Sequence, residues 1–154
     1  MKKGLLLTLF ALFSMTRISA QTSLGGGLLL GSYTTAVEVK ADFGVSEQIS
    51  ISPSIDYYLV DSSFGSNVTM YLLGVDGHYN LGDAESFNYY PLLGLNYFSV
   101  SFSGEGYNFS YGSGVGLTVG GGGTYALSES LKLYGELKYI RSGVSFSAGV
   151  MFSL

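Results

Sequence analysis

Beyond residue 20 the apolar residues alternate with polar ones at a period of two, and they form no run long enough for a membrane-spanning helix. Residues two apart share one face of a strand, so this pattern describes strands with one apolar and one mixed, more polar face. Val37, Val39, Ala41, Phe43 and Val45 alternate with Glu38, Lys40, Asp42 and Gly44, and Ile51, Pro53, Ile55, Tyr57 and Leu59 with Ser50, Ser52, Ser54, Asp56 and Tyr58. Tyr71 to Tyr79 and Tyr89 to Tyr97 repeat the pattern, with Asp76 and His78 in the polar phase of the first. Leu117 to Tyr125, Leu131 to Tyr139 and Val144 to Leu154 continue it, and Leu24 to Leu30 supplies a first strand. These segments predict an all-β domain of eight strands.

The connections differ in character. Short acidic turns are expected at Ser46-Glu47-Gln48, from Gly82 to Ser86 and at Ser128-Glu129-Ser130. Between them stand Gly31 to Thr34, Val60 to Asn67, Ser99 to Ser113 and Arg141-Ser142. Short turns on one side and more variable loops on the other predict an antiparallel up-and-down meander. Pro53 and Pro91 fall inside strands, where each removes a ladder hydrogen bond; a bulge or a watered end position would accommodate them.

A soluble β-sandwich alternates too, so the surroundings of the sheet need separate evidence. The apolar faces run for about ten residues, the length of a tilted strand crossing a bilayer. Tyr57, Tyr71, Tyr79, Tyr89, Tyr97, Tyr125 and Tyr139 stand on those faces near strand ends, where an interfacial aromatic girdle belongs. The polar faces are rich in Gly and Ser, as a narrow lumen requires, and closure removes sheet edges that lipid would leave unpaired. Charged residues make up 12% of the chain against about 25% in ordinary domains. The expectation is a transmembrane β-barrel.

The amino terminus supplies an address. Lys2 and Lys3, the apolar run from Leu5 to Phe13, and Ile18-Ser19-Ala20 before Gln21 have the parts of a cleaved secretory signal. Residues 1–20 are read as that signal and 21–154 as the barrel domain. The signal holds three basic residues and no acidic one, so its removal takes the net charge from −4 to −7. An acidic domain with so few basic residues is not built for nucleic acid. The absence of cysteine excludes disulfides, thiolate catalysis, cysteine metal sites and a lipid anchor on cysteine.

The stretch Tyr90-Pro91-Leu92-Leu93-Gly94-Leu95-Asn96-Tyr97 resembles the "YPLxGLxY" strand of the outer-membrane β-barrel domain family. Similar in kind are Val119-Gly120-Gly121-Gly122, Ala126-Leu127-Ser128 and Leu133 to Tyr139. The group includes porin-like, opacity-type and OmpA/OmpX-type eight-stranded barrels, here in a form like those of Bacteroidota. The resemblance implies a Gram-negative outer-membrane location, contact with outer-membrane lipids and insertion by the barrel-assembly machinery. Phe152 and Leu154 correspond to the family's C-terminal assembly signal, with Leu154 where the pattern ends in an aromatic. No single activity is implied, because fold does not fix function.

Glu38, Lys40, Asp42, Asp56, Asp76, His78, Lys132, Glu136 and Lys138 occupy the polar phase and are expected to pair inside the barrel, filling its lumen. A narrow, low-conductance pore for ions or small solutes is the alternative reading of these groups. Lipid A deacylases on this scaffold use a Ser-His-acid set, but Asn80 stands two residues beyond His78 and no serine lies at a suggestive spacing. No catalytic residue, metal site or cofactor is expected, and an outer-membrane lipid-modifying enzyme is the weaker alternative. Gly25 to Gly27 and Gly120 to Gly123 lack the Lys-Ser/Thr ending of a phosphate loop and mark bends or close approaches. From Ser99 to Ser113, Phe102, Tyr107, Phe109 and Tyr111 are candidate external contacts, although Val100 and Phe102 also keep the strand phase. The expected role is structural or surface-interacting, with the surface partner unspecified; a secreted soluble β-sandwich is the remaining alternative.

Overall fold

The computed structural model describes residues 22–31, 34–60, 67–82, 86–104, 107–140 and 143–154, and for 67, 103–104 and 107–111 the backbone alone. The signal reading of residues 1–20 lies outside the described residues, as do parts of the five connections at 32–33, 61–66, 83–85, 105–106 and 141–142. The strands are β1 (Thr22–Gly31), β2 (Thr35–Gly44), β3 (Ile49–Leu59), β4 (Asn67–Tyr79), β5 (Phe87–Gly104), β6 (Tyr107–Ala126), β7 (Leu131–Ile140) and β8 (Gly143–Ser153). Each pairs antiparallel with its chain neighbour, and β1 pairs with β8 from Ser23↔Ser153 to Gly31↔Ser145, closing the barrel.

The alternation assigns the two faces as expected. Glu38, Lys40, Asp56, Asp76, His78, Glu136 and Lys138 are buried in the lumen, while Val39, Ile55, Val75, Leu93, Leu95, Leu117 and Leu137 stand exposed outside. Such an exterior is an apolar band far beyond the patches that soluble monomers tolerate, wrapped around a polar interior. Hydrocarbon is the solvent that suits it, and closure leaves the barrel wall without the unpaired edges that hydrocarbon forbids.

Aromatic residues cluster at both rims of the band. Tyr79 pairs with Ile49 and Phe87 with Tyr125 at the end of the short turns; Tyr57 pairs with Tyr71 and Tyr97 with Leu73 toward the other. Phe152 faces outward on β8, opposite Leu24 and Leu131. Leu154 follows the strand, its N–H donating to the Thr22 carbonyl at 2.8 Å.

One expectation changes. Ser99 to Ser113 is not a loop: β5 and β6 continue through it as a hairpin up to the pair Gly104↔Tyr107, with a register shift between Val100 and Ser101. The physical reason is the retained alternation, which lets the ladder run on past the point where β7 ends at Ile140 opposite Thr118. The extra length at this end is therefore ladder rather than loop. Phe102 sits on β5 opposite Val68 and Phe109; Tyr107, Phe109 and Tyr111 are backbone positions on β6.

Candidate functional site: the barrel lumen

The lumen holds three layers. The middle layer is ionic. Lys138 Nζ lies 2.8 Å from Glu136 Oε2, 3.2 Å from Glu38 Oε2 and 3.5 Å from Asp76 Oδ2. Lys40 Nζ pairs with Glu136 Oε1 and stands 4.8 Å from the centre of the Tyr134 ring. Two tyrosine hydroxyls complete the carboxylates: Tyr134 donates to Glu38 Oε1 and Tyr90 to Glu136 Oε1, each at 2.8 Å. These charges come from β2, β4 and β7, whose inward phases meet only because the barrel closes. Buried ions need such pairing, because each has lost its hydration.

Two inward glycines make room for the network. A Cβ at Gly27 would stand 2.5 Å from Tyr134 Oη, and one at Gly122 would stand 2.6 Å from Cγ of Glu136. The carboxylate and the phenol lie over bare backbone, so a side chain at either position would displace them.

Toward the end away from the short turns the lumen turns apolar. Leu29, Ala36, Tyr58, Leu72 and Ile140 form a buried cluster, with Val60, Met70 and Phe98 packed against it. An apolar layer was not expected, since the inward phase was read as a mixed, more polar face filled by a charged network. The available signal was Leu29, Leu72 and Ile140 standing in the inward phase near the same ends of their strands.

At the short-turn end, His78 marks the boundary of the ionic layer. Its ring stacks on Tyr90 with centroids 4.3 Å apart; Nδ1 lies 3.6 Å from Asp42 Oδ1 and Nε2 lies 3.9 Å from Glu136 Oε1. The register also sets Ser50 directly across from His78, a neighbour that linear spacing could not reveal. Ser, His and Asp are therefore close together, but both ring nitrogens face carboxylates and no hydrogen bond joins His78 to Ser50 among the described residues. A serine nucleophile needs the imidazole within hydrogen-bond reach. Lys132 lines the mouth at this end; Asp56 lies across from Glu38. Among the described residues no three carboxylate or imidazole groups are disposed to hold a metal ion.

No protein-family model matches the chain, and no curated protein matches it in sequence. Solved structures match it in shape. The N-terminal β-barrel domain of Pseudomonas aeruginosa OprF superposes with a TM-score of 0.73 at 14% identity, covering 88% of this chain and 100% of that one. Neisserial surface protein A gives 0.65 at 15%, covering 88% and 96%. A transmembrane β-barrel designed de novo gives 0.64 at 15%, covering 87% and 95%. At such identities the likeness concerns the fold, and the designed barrel shows that this fold arises without any selected activity. This chain has the fold of the eight-stranded transmembrane β-barrels, the architecture of outer-membrane proteins.

Proposed function

We propose that the chain is an integral outer-membrane protein of a Gram-negative bacterium that acts as a sealed structural barrel and presents its β5–β6 hairpin outside, rather than as a pore or an enzyme. The observation that carries this reading is the double seal of the lumen. The ionic layer around Lys138 and the apolar layer around Leu29 and Leu72 lie in series, so a hydrated solute would have to displace both. Residues 1–20 act as the cleaved export signal, and Phe152 and Leu154 serve the assembly machinery. The short turns and both strand termini then face the periplasm, and the β5–β6 hairpin faces outward, where its aromatic and small polar residues contact a surface partner. His78 packs and bridges; it does not activate a nucleophile.

Fractionation tests the membrane half of the reading. The protein should stay with urea-washed outer membranes and migrate differently in unboiled and boiled samples. Planar bilayers test the seal: purified protein should produce no conductance steps, and regular steps would overturn the sealed reading. Lipid A mass should be the same with the wild type, with His78→Ala and without the protein; a mass change dependent on His78 would overturn the non-enzymatic reading.

A further inference from the structure

At the end away from the short turns, β4, β5 and β6 run on past the rest of the barrel, and the two flanks of this extension differ. β4 outruns its last pair with β3, Tyr58↔Met70, only from Asn67 to Thr69. β6 outruns its last pair with β7, Thr118↔Ile140, all the way to Tyr107, because the chain turns back from Ile140 to Gly143 and into β8. From Val115 upward no strand among the described residues covers this flank of β6. The missing neighbour is felt by the side chains: Val115 is 74% exposed, against 51% for Val119 beside β7.

The open flank has a defined hydrogen-bond phase. Leu127 N–H donates to the Leu131 carbonyl at 2.9 Å, so every second residue of β6 from there turns its N–H and C=O toward the β7 side. Val115 and Ser113 belong to that set, and their backbone groups point past the end of β7. Val115 pairs with Tyr97 at the outer aromatic rim and Ser113 with Ser99 beyond it, so the groups of Ser113 meet water. Natural sheet edges are commonly blocked by charge or proline. Tyr107 to Leu117 contains neither.

The inner face of the same stretch is bare. Gly112, Gly114 and Gly116 share the inward phase of the buried Thr118. A Cβ at Gly112 would meet nothing within 4 Å, and one at Gly114 would stand 2.9 Å from the edge of the Phe98 ring, which packs on the apolar layer. Side chains of an added strand opposite these glycines would lie against that layer, in line with Ile140 of β7.

We propose that β6, from Gly112 to Gly116, takes up an extended peptide segment of an extracellular protein as an added antiparallel strand in line with β7. Large apolar residues of the segment lie over the glycines, and small uncharged ones face Ser113 and Val115. A second copy in the same membrane fits this flank poorly. Barrel strands tilt by about 35–45°, so the β6 strands of two adjacent copies cross at about 70–90°, whereas paired strands differ by about 20–25°. The proposal rests on the reading of the β5–β6 hairpin as the contact with a surface partner and names the mode of that contact. Binding in detergent does not depend on the membrane, so a failed fractionation and a failed titration are separate results.

Fluorescence anisotropy tests it, with a labelled, end-blocked Leu-Thr-Leu-Thr-Leu peptide titrated with the folded protein in detergent against detergent alone. The peptide should bind saturably, its threonine N–H groups facing β6 and its leucine N–H groups facing away. N-methylation of both threonines should weaken binding at least about tenfold, while N-methylation of the last two leucines should change it less than about threefold. Ser113→Pro removes an edge donor that the ladder with β5 does not use, and should weaken the peptide at least about tenfold while keeping the unboiled-versus-boiled gel shift. No saturable binding, equal affinities of the two methylated peptides, or full affinity in a folded Ser113→Pro barrel would each overturn the proposal. A dimer that Ser113→Pro dissolves and the peptide does not compete would give the edge to a second copy and overturn it too. If Ser113→Pro does not form a barrel, the methylated peptides on the wild type decide alone.

Discussion

The Ser52 hydroxyl donates to the Ala41 carbonyl at 2.9 Å, and so takes the place of a backbone donor that the neighbouring Pro53 lacks. Val45 N–H donates to the Ile49 carbonyl at 2.8 Å, so every second pair from there, including Ala41 with Pro53, is one that exchanges ladder bonds. The proline removes the Pro53-to-Ala41 bond, and the ladder between β2 and β3 is interrupted there, between Lys40↔Ser54 and Phe43↔Ile51. A serine one residue earlier, turned inward, satisfies the carbonyl instead.

That substitution of partners can be measured. Ser52→Ala should destabilise the barrel by about 1 kcal/mol, because a half-buried carbonyl loses its donor. In a Pro53→Val background, where a backbone N–H returns, the same change should cost less than about 0.5 kcal/mol. Urea titration of the four proteins of this cycle checks it; equal costs in both backgrounds would remove the role assigned to Ser52.

Lys138 is the hub of the ionic layer, touching carboxylates from β2, β4 and β7. Lys138→Met should destabilise by about 3–5 kcal/mol, since Glu38 and Asp76 would remain buried without their cation. Adding Glu38→Gln should recover part of that loss, because the change removes one stranded charge. Conductance should stay absent in Lys138→Met if the apolar layer alone blocks the lumen; bilayer recordings beside unfolding curves separate the two contributions.

Close approach of backbone to side chain predicts a contrast between two glycines. At Gly94 an added Cβ would collide with Asp76 Oδ1 and stand 2.5 Å from the Val75 carbonyl oxygen. At Gly112 it would meet nothing within 4 Å. Gly94→Ala should cost about 3 kcal/mol, at the upper end for overpacking, whereas Gly112→Ala should move stability by less than about 0.5 kcal/mol. Thermal loss of the unboiled gel band ranks them directly.

Strand number, phase and closure were legible because a period of two is a local property, and a lumen-facing Glu38 or Lys138 announces itself among outward Val and Leu. The partnerships were not legible. Lys40 meets Glu136 and Tyr134 meets Glu38 across sequence separations of 96, and only closure brings β2 beside β7 in the lumen. Tyr90 and Tyr134 were visible as inward residues, but their hydroxyls carry no sequence mark of the carboxylates they serve. The apolar layer escaped for a related reason: Leu72 and Ile140 look like isolated exceptions until the stagger of the strands stacks them with Leu29.

The outward face gives the sharpest test of the solvent around the barrel. Leu93 on β5 is 63% exposed and lies midway between Tyr89 and Tyr97, which mark the two aromatic rims on that strand. In a bilayer this position is close to the midplane, so Leu93→Arg should cost about 2–4 kcal/mol for placing a guanidinium in hydrocarbon. In water the same substitution on so exposed a position should be neutral within about 0.5 kcal/mol. Val45 is also exposed, at 51%, but lies beyond the end of β2 in a turn, and Val45→Arg should be neutral in either solvent. Unfolding both variants in lipid vesicles therefore reads depth directly. A large cost at Leu93 with none at Val45 requires hydrocarbon around the middle of the barrel, and equal small costs would mean that its apolar face meets something other than lipid.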